Sequence, residues 1–238
     1  MEARLPLVLL PGLDGTGRLF GPLLRAVEER RIAHVVSYSP RAVVGYAGLL
    51  PALSRARPAR GPWAVVAESF SGPLALRLAR LRPAGLVAVV LVASFVRSPR
   101  RVPAWAAALA GPPVLSLPPS RRLVRRYLAG DDAAPVLVDQ VVGAIRSVRA
   151  TVLAWRLREV LVLDAADDLR RCPVPVLFVA GRSDRLVPDA SVDALVQVRP
   201  DLAIERLQAP HLVLQRRPAS ALALIDGFLS GLTAELRE

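Results

Sequence analysis

The chain has 238 residues, is 53% hydrophobic and carries a formal net charge of +12. That is enough for one substantial core with room for an inserted subdomain. The single cysteine, Cys172, excludes an internal disulfide and any cysteine-based metal cluster, and no apolar run reaches the roughly 18 residues needed to span a bilayer.

Every basic residue is arginine, and lysine and asparagine are absent. With the heavy use of Ala, Leu, Val, Pro and Gly, the charge reads as coding bias. A nucleic-acid groove would also use aromatics for stacking, and these are only 5% of the chain. One local concentration remains: Arg97, Arg100, Arg101, Arg121, Arg122, Arg125 and Arg126. It is either a solvated face or an attractor of acidic substrates. The apolar run within Met1 to Leu10 is too short for a signal segment. The expectation is a soluble, cytoplasmic protein that neither binds nucleic acid nor inserts stably into a membrane.

Leu5 to Leu10 is a short apolar strand ending in Pro11-Gly12-Leu13-Asp14-Gly15-Thr16-Gly17, a loop whose glycines let backbone N–H groups face a ligand. A helix over about Leu19 to Arg30 follows, then a strand from Ile32 to Tyr38 stopped at Ser39-Pro40. Val43 to Arg57, interrupted by Pro51, reads as an irregular helical connection. Trp63 to Ala67 is apolar without alternation, the pattern of a strand buried on both faces. Leu74, Leu78 and Leu81 then recur at helical spacing behind Pro73. Ser69 stands at the corner between them. Gly85 to Ser94 is another buried strand.

From 97 to 171 the alternation of strand and helix stops. A Pro- and Arg-rich stretch is followed by helical patterns near Ser120 to Leu128, Ala134 to Arg158 and Asp164 to Arg171. This segment is expected to be a helical insertion. The alternation resumes with a strand over Val174 to Ala180, the turn Gly181 to Arg185, a helix over Pro188 to Val198, a strand over Leu202 to Leu207, the loop Ala209-Pro210-His211 and a last helix over Pro218 to Leu232. About six strands joined by helices predict an α/β fold with a mostly parallel, doubly wound sheet. The domain reading is a core of 1–96 and 172–238, with 97–171 inserted as a cap.

Ligands of such sheets bind beyond the carboxyl ends of the strands. The 11–17 loop, Ser69, Asp184 and His211 all fall at such ends. A serine hydroxyl needs a base, and the base needs a group that holds its tautomer. His211 is the candidate base and Asp184 its orienting acid. His34, the only other histidine, is read as structural. The order Ser, Asp, His matches one known chain order for this chemistry. A sharp strand-to-helix turn would lift the Ser69 hydroxyl clear of the sheet. Two N–H donors for the oxyanion are then expected from Phe70, after the nucleophile, and Leu13, in the first loop. The glycines at 12, 15 and 17 fit neither phosphate-binding spacing. Cys172 reads as a buried structural thiol.

These segments resemble the α/β-hydrolases. LPGLDGTGRLFGPLL is similar to the family's oxyanion loop, AESFSGPLALRLA to its nucleophile elbow, PVPVLFVAGRSDRLVP to its acid loop and APHLVLQRRP to its histidine loop. Two motifs depart from the pattern. Pro11-Gly12 stands where His-Gly is common, and Ala67 and Ser71 replace the two glycines of the elbow. The resemblance implies that the chain starts at the family's third strand. It also implies hydrolysis of carboxylic esters or thioesters through an acyl-enzyme, with neither metal nor cofactor. Residues 97–171 would form a lid, with Trp105, Leu109, Leu115 and Trp155 lining an acyl pocket or else packing the lid's own core. The implied partner is a small-molecule acyl ester or thioester. An acyltransferase with the same triad, or a non-catalytic binding protein on the same fold, stays open.

Overall fold

The computed structural model describes residues 4–27, 31–99, 116–117 and 119–235. Six parallel strands form one sheet: β1 (Leu7–Leu10), β2 (Ala33–Val35), β3 (Trp63–Glu68), β4 (Leu86–Val92), β5 (Val176–Gly181) and β6 (Ala203–Leu207), in the order β2-β1-β3-β4-β5-β6. The uninterrupted valine, leucine and alanine runs are the reason for this arrangement. A strand covered on both faces has no polar side to alternate with. In β3 the side chains of Trp63, Val65 and Ala67 join one core layer, and those of Ala64 and Val66 the other. Val65 pairs in register with Val8 of β1 and Val89 of β4. The edge strands β2 and β6 are only partly covered and carry His34, Glu205 and Arg206. Polar groups on such edges discourage pairing with another sheet.

The helices α2 (Tyr46–Arg55), α3 (Gly72–Arg80), α7 (Ala166–Arg170) and α8 (Asp189–Val198) cover one face of the sheet. The other is covered by α1 (Gly21–Val27), α9 (Val213–Arg216) and α10 (Pro218–Glu235). Continuous α2 replaces the expected irregular connection, with Pro51 inside it. An interior proline costs about 3 kcal/mol, and burying Tyr46, Leu49 and Leu53 against the core offsets it.

In the 97–171 segment the described helices are α4 (Arg121–Val124), α5 (Pro135–Arg146), α6 (Ala150–Leu161) and α7, with a π-helical turn at Arg125–Ala129. The helix expected over Ala134 to Arg158 is therefore two. The break at 147–149 has a cause. Val138 and Val141 pack with Val124 and Leu212, whereas Val152 and Leu153 pack around Val148. One straight helix could not serve both clusters, and the Arg149 N–H is tied to Pro40 O at 3.0 Å.

Candidate active site

The carboxyl edge of the sheet gathers the four loops singled out above. Ser69 follows β3 directly and adopts φ 49°, in the left-handed region that non-glycine residues avoid. Such a conformation costs about 1–3 kcal/mol and persists only where its surroundings enforce it. Those surroundings are visible. Ser94 Oγ donates to Ser69 O at 2.7 Å. Gly72 opens α3 so close to β4 that a Cβ there would stand 1.9 Å from Ser94 Oγ. The glycine that the elbow requires is thus Gly72, one position beyond the usual one. Ser71, in the usual place, binds the Tyr38 hydroxyl at 2.6 Å and donates to Pro11 O.

His211 lies after β6 and is 3% exposed. Its Nε2 stands 3.0 Å from Ser69 Oγ, and its Nδ1 stands 2.8 Å from Asp184 Oδ2. Asp184 lies in the turn after β5. Its Oδ1 accepts the Leu186 and Val187 N–H groups at 2.8 and 2.9 Å. Both carboxylate oxygens are thereby committed, and the one facing His211 cannot turn away. The β5 and β6 loops are joined by backbone bonds, Arg182 N to Leu207 O at 2.8 Å and Ser183 N to Ala209 O at 3.1 Å. A proton can therefore pass from Ser69 to His211 while Asp184 fixes the imidazole tautomer.

Across from this line, Gly12 to Gly15 closes a turn through Gly15 N–H to Gly12 O at 3.0 Å. Leu13 sits within it. Phe70 is buried and stacks on Tyr46, with ring centroids 4.7 Å apart, while its carbonyl accepts the Tyr46 hydroxyl at 3.1 Å. Phe70 thus follows Ser69 directly, and the turn that holds Leu13 is tied to the elbow through Pro11 O, which accepts from Ser71.

Of the residues expected to line an acyl pocket, Trp105, Leu109 and Leu115 lie outside the described residues, and Trp155 on α6 is 42% exposed. The arginine concentration is partly neutralised, since Arg97 pairs with Asp164 at 3.2 Å and Arg121 pairs with Asp139, while Arg125 keeps its charge and donates to Ala133 O at 2.7 Å. His34 is exposed on β2, away from Ser69, so it has no core role. Cys172 is buried, and burial pushes its thiol pKa up.

Three residues near the site were missed by the sequence reading. Glu68 precedes Ser69 and is buried, with its carboxyl pushed up to about 7 by burial. Gln215 on α9 donates to Glu68 Oε2 at 3.3 Å. Arg156 on α6 reaches the 11–15 turn. An acid ending an apolar strand beside the candidate nucleophile could have flagged Glu68; nothing local distinguishes Arg156 from the other arginines.

A model of the alpha/beta hydrolase family matches residues 7–223. Comparison with curated proteins finds no match. Among solved structures, a hydrolase from Oleispira antarctica superposes with a TM-score of 0.81 at 11% identity, over 96% of this chain and 92% of that one. An esterase from Rhodococcus sp. ECU1013 gives 0.75 at 18%, over 97% and 92%. The enol-lactonase from Burkholderia xenovorans LB400 gives 0.68 at 18%, over 100% and 93%. At these identities the likeness speaks to the fold.

Proposed function

Because the chain belongs to the alpha/beta hydrolase family, we propose that it is a serine hydrolase that cleaves small carboxylic esters or thioesters through an acyl-enzyme. The observation that carries this reading is the continuous hydrogen-bonded line Ser69–His211–Asp184, at 3.0 and 2.8 Å. Ser69 Oγ attacks the acyl carbonyl as its proton moves to His211 Nε2. Asp184 holds Nδ1–H and stabilises the imidazolium. The Leu13 and Phe70 N–H groups receive the oxyanion. Collapse breaks the bond to the alcohol or thiol, which leaves with the proton from His211. Water then attacks the acyl-Ser69 ester, giving its proton to His211, and the acid departs as Ser69 is restored.

In this reading the 97–171 segment is the cap of the site, its π-helical turn joined to the histidine loop through Leu128 O, which accepts the Leu212 N–H at 3.0 Å. The esterase and enol-lactonase among the structural neighbours support an ester-type bond. A screen of nitrophenyl esters and acyl thioesters of increasing chain length, with Ser69→Ala as the blank, tests the proposal. Turnover in the parent and none in the variant is expected. Equal rates in both would refute the role of Ser69, and turnover of neither class by the parent would refute the activity.

A further inference from the structure

Arg156 is 1% exposed, and no carboxylate lies in ion-pair reach of it among the described residues. Its Nη1 donates to Leu13 O at 3.0 Å and Asp14 O at 2.8 Å, and its Nη2 donates to Ser39 O at 3.1 Å. The guanidinium lies 5.6 Å from the centre of the Tyr38 ring. A buried cation that meets only the Asp14 carboxylate, and that beyond ion-pair distance, is a poor source of stability, since desolvation outweighs the attraction. Its placement therefore calls for another explanation, and the backbone it holds supplies one.

Each carbonyl from Pro11 to Gly15 accepts a hydrogen bond. Ser71 Oγ takes Pro11 O, Gly15 N takes Gly12 O at 3.0 Å, Arg156 takes Leu13 O and Asp14 O, and Tyr38 N takes Gly15 O at 2.7 Å. In a planar trans peptide the N–H points opposite to the carbonyl. The Leu13 N–H direction is thus set by Gly12 O, and the next peptide by Arg156. A flip of the Gly12–Leu13 peptide would present an oxygen where negative charge develops, and the two peptides that follow it are the ones Arg156 holds in place. Gly15 permits the close approach: its φ is 71°, and a Cβ there would stand 2.5 Å from Arg156 Nη1 and 2.9 Å from Tyr38 Cδ2.

We propose that Arg156 is a positioning residue for the oxyanion turn, so that helix α6 of the inserted segment supplies part of the rigidity of the active site. This inference rests on the oxyanion role given above to Leu13. The planar fork matters as well as the charge. A lysine keeps the charge but cannot reproduce the guanidinium's fixed donor geometry.

The experiment compares the parent, Arg156→Lys and Arg156→Met on a short-chain ester, together with inhibition by a trifluoromethyl ketone that adds to Ser69 and places an oxyanion in the same site. In Arg156→Met, kcat falls by roughly 100-fold. KM stays within about threefold, and affinity for the ketone falls in parallel with kcat/KM. Arg156→Lys lies between the two. Should Arg156→Met fail to fold, Arg156→Lys decides: an intermediate kcat and ketone affinity support the role. Unchanged kcat and ketone affinity in a folded variant, or a loss confined to KM, overturn it. A parent without Ser69-dependent turnover overturns the serine-hydrolase reading and this inference together. Ser69-dependent turnover that ignores Arg156 overturns this inference alone.

Discussion

Glu68 and Gln215 meet beside Ser69: Gln215 Nε2 donates to Glu68 Oε2 at 3.3 Å, and the second carboxyl oxygen of Glu68 is buried without a partner. Burial disfavours the charged form and raises this carboxyl from 4.5 to about 7, while the Gln215 bond and the nearby His211 pull it back down. Between those two values the folded chain keeps a proton that the unfolded chain has released. Stability therefore falls as pH rises through this window, by about 3 kcal/mol in all. Glu68→Gln removes the titration and can still pair with Gln215. Denaturant unfolding at pH 5 and pH 8 should show the parent losing stability relative to the variant across that range. Parallel curves would mean that Glu68 is already ionised in the fold.

Asp184 holds one carboxylate oxygen on two backbone N–H groups and the other on His211. In Asp184→Asn the amide oxygen keeps the N–H pair, so the NH₂ group faces Nδ1. The imidazole is driven to the tautomer whose proton points at Ser69, and the base is lost. The expected drop in kcat is about 10⁴-fold, with the melting temperature little changed. A drop below about tenfold would show that Asp184 does not set the tautomer.

Gly72 is the tightest contact of the elbow. In Gly72→Ala the new methyl meets Ser94 Oγ at 1.9 Å and Ser94 Cβ at 2.8 Å. About 1–3 kcal/mol of stability is lost, together with activity, because Ser94 also holds Ser69 O. Ser94→Gly removes both contacts, so the double variant should be more stable than additivity predicts. Additive melting temperatures would place the strain elsewhere.

The helical segment is tied to the histidine loop by Leu128 O, which accepts the Leu212 N–H at 3.0 Å, and by the approach of Gly130 to Pro210. The ion pairs Arg185–Asp131 and Arg216–Asp132 lie at the same junction with exposed partners. Exposed pairs contribute little, so Asp131→Asn should cost at most about 1 kcal/mol in a denaturant titration. A loss of several kcal/mol would show that the charges, rather than the backbone contact, hold the junction.

The sheet and the four loops were readable because each rests on a local pattern. Buried strands leave continuous apolar runs, and Ser69, Asp184 and His211 each follow one. The same logic failed where tertiary contacts decide. Pro51 suggests a break, yet packing carries α2 through it. Ala134 to Arg158 keeps a helical period across a break that exists because two separate clusters need filling. The missing elbow glycines at 67 and 71 looked like a defect, because nothing in the sequence shows that Gly72 meets Ser94 or that Ser71 reaches Tyr38 and Pro11. Arg156 was hidden for the same reason: its acceptors are backbone carbonyls, which leave no trace in residue identity.

Intact-mass analysis of acid-quenched protein, taken milliseconds after mixing with an activated ester, tests the acyl-enzyme directly. The expected result is a mass gain equal to one acyl group, mapped to the peptide containing Ser69, absent in Ser69→Ala and accumulating in a His211 variant supplied with a pre-activated acyl donor. Turnover with acylation at another residue, or with a Ser69 peptide that stays unmodified while a slow substrate is saturating, would contradict the account.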